Sequence, residues 1–206
     1  MKTVYLDNAA TSFPKPPEVL QAVSLYMSEI GCNVNRGGYY TAYDAAGTVL
    51  ETRQRLRTLF HFSDPRNVIF TANITMSMNM LLKGYLHPGD HVLCSSVEHN
   101  AVIRPLAQLR AQGVAFDRVP CDKDGHLLVE QIEPMLRPET KAFVLTHASN
   151  VFGTIQPLAQ VGEICHAHGI AFIVDSAQTA GTEPIDMEAM KIDALAFTGH
   201  KGLLGP

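Results

Sequence analysis

Paired cysteine spacings are missing from this sequence. The four cysteines, Cys32, Cys94, Cys121 and Cys165, stand far apart. That argues against a disulfide scaffold or a zinc knuckle and for reduced thiols, so a cytoplasmic location is expected. Long apolar runs are missing too. The first eight positions, Met1 to Asn8, hold no apolar leader core, and no stretch is long enough to span a bilayer. Charge is scarce and nearly balanced, at 17% charged residues and a net charge of -4. The chain therefore carries no electrostatic footprint for nucleic acid or for an anionic membrane surface. No Gly-x-Gly-x-x-Gly or Walker pattern follows an apolar run, which weakens a generic nucleotide-binding reading. Repeats, low-complexity segments and flexible linkers are also absent. What is present is an ordinary globular profile, 46% apolar over 206 residues, enough for one sizeable core.

The apolar pattern alternates between short runs and helical stripes. Val4 to Leu6 reads as a short extended piece, and Pro14, Pro16 and Pro17 delay a helix until about Glu18, which then runs to Gly31. A turn-rich loop spans residues 33–38. A second amphipathic helix is predicted from about Thr41 to Phe60, with Tyr43, Ala46, Leu50 and Phe60 inward and Arg53, Arg55 and Arg57 solvated. Strands are predicted at 67–70, 91–94, 114–119, 142–145, 170–174 and 194–197. Helices are predicted to about Tyr85 after the turn at Thr71 to Thr75, around 102–109, over 127–136, and from about Leu158 to His168. Strands alternating with helices of this length imply an α/β fold: a three-layer αβα arrangement around a mostly parallel sheet. In such sheets ligands sit beyond the carboxyl ends of the strands.

Two strand ends stand out. Phe172-Ile173-Val174 runs into Asp175-Ser176-Ala177-Gln178, and Ala196-Phe197 runs into Thr198-Gly199-His200-Lys201. A carboxylate at one strand end and an amine past another suit a cofactor needing a covalent amine anchor and a negative partner for a ring nitrogen, as pyridoxal phosphate does. A parallel sheet would bring to the same edge Thr71 to Thr75, Glu98-His99-Asn100 and Ser149-Asn150.

Five blocks, Tyr5-Leu6-Asp7-Asn8-Ala9-Ala10-Thr11, Glu98-His99-Asn100-Ala101, Ser149-Asn150-Val151-Phe152-Gly153-Thr154, Val174-Asp175-Ser176-Ala177-Gln178 and Thr198-Gly199-His200-Lys201, resemble the class V aminotransferase family. The resemblance is greatest to its cysteine desulfurase and selenocysteine lyase branch, of PLP fold type I, and it runs along essentially the whole chain. It implies pyridoxal 5'-phosphate anchored covalently on Lys201, with Asp175 facing the ring nitrogen. It implies Gln178 and Asn150 on the ring hydroxyl, and His99 stacked on the ring as a second catalytic group. Ile74, Thr75, Thr198 and His200 would hold the phosphate, and Asn8 and Ala9 would border the substrate. The implied reaction converts L-cysteine to L-alanine with transfer of sulfur to an enzyme cysteine. A transaminase, a selenocysteine lyase or a non-catalytic fragment are the alternatives. A homodimer and a sulfur-acceptor protein are the implied partners.

The sequence departs from the family at Asn73-Ile74-Thr75-Met76, where the usual glycine and glutamate are replaced and Thr75 is the match. It also stops at Leu203 to Pro206, just past Lys201. Residues 1–206 are accordingly expected to be a truncated large domain with its N-terminal segment, lacking a C-terminal strand, a small domain, the loop cysteine and an arginine for the substrate carboxylate. No metal site is read. His166 and His168, two apart on a helix, point to different faces. Met76, Met78 and Met80 read as core filler, Cys94 and Cys165 as small apolar groups, and Arg36 as a weak candidate contact.

Overall fold

The computed structural model describes residues 4–34 and 36–206. Met1 to Thr3, and Asn35 within the predicted 33–38 loop, lie outside the described residues. Helix α1 spans Pro17–Leu25, its first turn set by proline, and passes into a π-turn over Tyr26–Ile30 that ends on left-handed Gly31. Helix α2, Tyr40–Phe60, and α3, Ile74–Tyr85, precede the alternating part of the chain. Strand β1 (His91–Ser95) is followed by α4 (Asn100–Arg110), β2 (Ala115–Val119), the short α5 (Ile132–Met135) and β3 (Thr140–Thr146). Helix α6 (Leu158–His168), β4 (Ala171–Asp175) and β5 (Ala194–Ala196) complete it.

The sheet order is β2-β1-β3-β4-β5, and every pair is parallel. Both faces are covered, which is why the strands read as continuous apolar runs. Successive residues alternate between two cores, as the two-residue strand period requires. Leu93, Phe143, Leu145, Phe172 and Val174 face one way, against Ile132 of α5 and Leu158, Val161 and Cys165 of α6. Val92, Cys94, Ala142, Val144 and Ile173 face the other, against Met78 and Leu82 of α3 and Val102 and Leu106 of α4. Each fully buried Phe or Leu contributes about 1.5–3 kcal/mol. The three-layer architecture expected from the pattern is present.

Several local expectations are corrected. Residues 67–70 form a 3-10 turn over Pro65–Asn67 and then extended backbone without a ladder partner among the described residues. Val68 to Phe70 and the free side of β5 instead line one open groove of ≈1610 Å3 with Leu56, Phe60, Leu195 and Phe197. A strand needs a neighbour to satisfy its amides, and this segment has none among the described residues. The helix expected over 127–136 shrinks to a 3-10 turn at Val129–Gln131 and one turn of α5. Val4 and Leu6 have no strand partner among the described residues and are exposed. On α2 the inward residues are Ala42, Ala45 and Phe60, whereas Tyr43 and Leu50 are exposed and Arg53 lies over the Phe70 ring at 5.4 Å. Met78 is core, but Met76 and Met80 are half exposed.

Candidate active site

All five strands end at one edge, and the loops that follow them gather the polar residues. Asp175, the last residue of β4, is 3% exposed and its Oδ1 accepts the Ala177 N–H at 3.0 Å. Burial raises its pKa, while that hydrogen bond, the His99 ring and the Lys201 ammonium pull it back down. Lys201 follows β5, half buried, and its Nζ has no hydrogen-bond partner among the described residues. Burial lowers its pKa and Asp175 raises it. The neighbouring charge that acts on Lys201 is the Asp175 carboxylate.

His99 caps α4, its Nδ1 accepting the Ala101 N–H at 3.1 Å. That bond puts the proton of a neutral ring on Nε2. The first turn of α3 is capped by Asn73, whose Oδ1 accepts the Met76 N–H at 2.9 Å. The N–H groups of Ile74 and Thr75 have no acceptor among the described residues, and such an unfilled helix start suits an anion. Asn73 and buried Thr198 line the same groove. His200 is engaged elsewhere: its Nδ1 lies 2.9 Å from Thr11 Oγ1. Its carbonyl accepts from Thr11, from the Ser12 N–H and hydroxyl, and from Lys15 Nζ. The segment around Asn8 and Ala9 is thereby laid across the lysine loop, and Gln178 Nε2 donates to the Ala9 carbonyl at 3.2 Å. Asn8 Oδ1 accepts the Phe13 N–H, and Asn150 is exposed without a bond among the described residues.

The lysine loop is seated backbone to backbone on the turn after β4. A Cβ on Gly202 would lie 2.4 Å from the Ala180 carbonyl oxygen, and one on Gly181, at φ +87°, would lie 2.8 Å from that of Gly202. Only glycine permits this approach.

Some contributors were given no role from the sequence. Glu98 Oε1 accepts the Ser95 hydroxyl at 2.6 Å and the Thr146 N–H at 2.8 Å. His147, buried and 2.9 Å from Thr179 Oγ1, has its pKa lowered to about 4 by burial. Gln156, 2% exposed, holds the loop at Gly125 to Leu127 through both ends of its amide. A glutamate or glutamine in a loop reads as solvated, so only long-range packing reveals these ties. The buried acid, the unbonded half-buried amine and the open helix start together fit pyridoxal 5'-phosphate, which needs an anion partner, a covalent anchor and a phosphate site.

The class-V aminotransferase family pattern matches residues 4–206. A probable cysteine desulfurase of Halalkalibacterium halodurans is 36% identical over 98% of this chain and 51% of its own length. Cysteine desulfurase IscS of Tolumonas auensis is 35% identical over 98% of this chain and 51% of its own length. Among solved structures, the apo cysteine desulfurase of Thermococcus onnurineus superposes with a TM-score of 0.91 at 28% identity, over 98% of this chain and 51% of that one. The protein SspA in complex with cysteine superposes with a TM-score of 0.91 at 27% identity, over 99% of this chain and 59% of that one. The chain thus spans about half the length of the relatives it matches.

Proposed function

Since the chain belongs to the class-V aminotransferase family, we propose that it forms the pyridoxal 5'-phosphate-binding part of a cysteine desulfurase, with Lys201 as the covalent anchor. The observation that carries this is the pairing of Asp175 and Lys201 at neighbouring parallel strand ends, each acting on the charge of the other. When bound, the cofactor supplies an electron sink at the α-carbon of an amino-acid substrate. The chain's own residues do the rest. Asp175 presents a carboxylate that stabilises positive charge on a ring nitrogen. Lys201, its pKa lowered by burial, carries more neutral Nζ near neutral pH than a solvated lysine and can take up a proton there. The Ile74 and Thr75 N–H groups, with Thr75, Thr198 and His200, would hold the phosphate. His99 would stack on the ring and offer its Nε2 proton, while Gln178 and Asn150 would orient the ring hydroxyl. The Asn8-Ala9 segment, tied to Gln178, borders the substrate.

Cysteine is the proposed substrate, supported by the desulfurase relatives and by the cysteine complex of a similar structure. Cys94 and Cys165 are unsuited to accept its sulfur, because burial pushes both thiols up to about 12. The acceptor in this reading is a thiol outside these 206 residues, and an acceptor protein follows it. A homodimer in the cytoplasm completes the proposal. Leu20, Met27, Tyr40 and Tyr43 leave apolar surface exposed for a second copy to cover.

The test is intact mass after incubation with pyridoxal 5'-phosphate and borohydride, comparing wild type with Lys201→Ala. One phosphopyridoxyl adduct that disappears in the variant is expected. A folded wild-type chain without adduct would refute cofactor binding by this chain. Formation of alanine from cysteine, against keto-acid-dependent amino transfer, separates desulfuration from transamination.

A further inference from the structure

Between β1 and β3 lies the switch point of the sheet: the chain leaves β1 for β2 on one side and returns to β3 on the other. Loops that diverge there leave strand-end amides without ladder partners. One of these, the Thr146 N–H, is taken by Glu98 Oε1 at 2.8 Å, and the same oxygen accepts the Ser95 hydroxyl at 2.6 Å. Glu98 therefore joins the last residue of β1 to the last residue of β3. The next residue is His99, whose ring caps α4. The second carboxyl oxygen, Oε2, is shut off from water and has no partner among the described residues. An ionised carboxylate would be a buried, unbalanced charge, which is strongly unfavourable. The charges around it do not relieve this. Asp175 of β4, opposite Thr146 in the register, adds like charge, and the His99 ring and Lys201 act on Asp175. Buried Cys94 of β1 is a further titratable neighbour.

We propose that Glu98 is a positioning residue of this edge: a neutral carboxyl that ties the ends of β1 and β3 together and holds His99 at the head of α4, leaving Asp175 to carry the buried charge. Its consequence for catalysis rests on the cofactor reading above, but the tie itself is independent of it. Burial pushes the Glu98 carboxyl up to about 8, so it keeps its proton through neutral pH. Two buried acids that repel one another do not both ionise, and their surroundings decide which one does.

The experiment measures urea midpoints of wild type, Glu98→Gln and Glu98→Ala from pH 5 to 9, with the His99 imidazole resonances recorded by NMR. The folded wild type holds a proton that the unfolded chain releases near its ordinary pKa, so wild-type stability falls as pH rises toward 8. E98Q keeps both acceptor bonds and the neutral state. It is expected to match wild type near pH 5, to exceed it at pH 8, and to leave the His99 signals in place. E98A loses both bonds, so near pH 5 its folded-to-unfolded ratio is expected to fall about tenfold or more below wild type, a deficit that narrows toward pH 8 as the wild type loses its own proton-linked stability, with the His99 signals shifted at every pH. An E98Q variant less stable than wild type at pH 8, or one whose His99 signals move as far as those of E98A, overturns the proposal. Should E98A fail to fold, the comparison of E98Q with wild type still decides. The borohydride adduct of the wild-type chain reports separately on the cofactor: its absence would count against that reading and not against Glu98.

Discussion

Replacing Gly202 by alanine perturbs the lysine loop where it meets the turn after β4. The new Cβ would lie 2.4 Å from the Ala180 carbonyl oxygen and 2.9 Å from Thr182 Cγ2. Van der Waals contact of carbon with oxygen needs about 3.3 Å, so one backbone must retreat by roughly 1 Å. The Ala180 turn is held in place: Ala180 is 1% exposed, its N–H is bonded to Ser176 O, and Ser176 is bonded through both N–H and hydroxyl to Ala196 O. The lysine loop is therefore the part that moves, straining the bonds from Thr11, Ser12 and Lys15 to the His200 carbonyl. Overpacking of this kind costs about 1–3 kcal/mol. Gly199→Ala is the control, since a Cβ there meets nothing within 4 Å and a change within about 0.5 kcal/mol is expected. Urea unfolding reads the stability, and the yield of borohydride-fixed phosphopyridoxyl adduct reads the placement of Lys201. G202A should lose on both counts and G199A on neither. Equal stability and equal adduct yield in the two variants would refute the claim that backbone contact seats the lysine loop.

Two further outcomes follow from buried polar groups. His147 has a folded pKa lowered to about 4 by burial. The unfolded chain therefore binds more protons between pH 6.5 and 4, and the stabilisation present above pH 6.5 is lost as pH falls through that window, by up to about 3 kcal/mol. His147→Gln should flatten this acid limb of the urea-midpoint profile; an unchanged limb would remove His147 as its cause. Gln156→Ala leaves the Leu127 N–H and the Gly125 carbonyl without their buried partner, which should cost about 2–4 kcal/mol in urea unfolding. A loss below 1 kcal/mol would mean that those groups find other partners.

Much of the fold was legible because the sheet is buried on both faces. Runs such as Phe172-Ile173-Val174 and Phe143-Val144-Leu145 have no polar face, and only a sheet covered by helices leaves them none. The strand-closing Asp175 and the Lys201 loop were legible for a related reason: a parallel sheet sends every such residue to the same edge. Local pattern alone fixed these features, together with the resemblance carried by the motif blocks. It failed where pairing was required. Val68-Ile69-Phe70 has strand chemistry, yet a strand exists only where a neighbouring ladder takes its amides, and among the described residues the groove beside β5 supplies none. It failed on α2 as well, where Tyr43 and Leu50 stay outside while Ala42, Ala45 and Phe60 go in, because the inward face is set by how the helix is placed against distant segments. The ties made by Glu98, the depressed basicity of His147 and the glycine contact at Gly202 join residues up to 48 positions apart. Desolvation and close approach arise only when distant segments meet, so tertiary structure alone decided them.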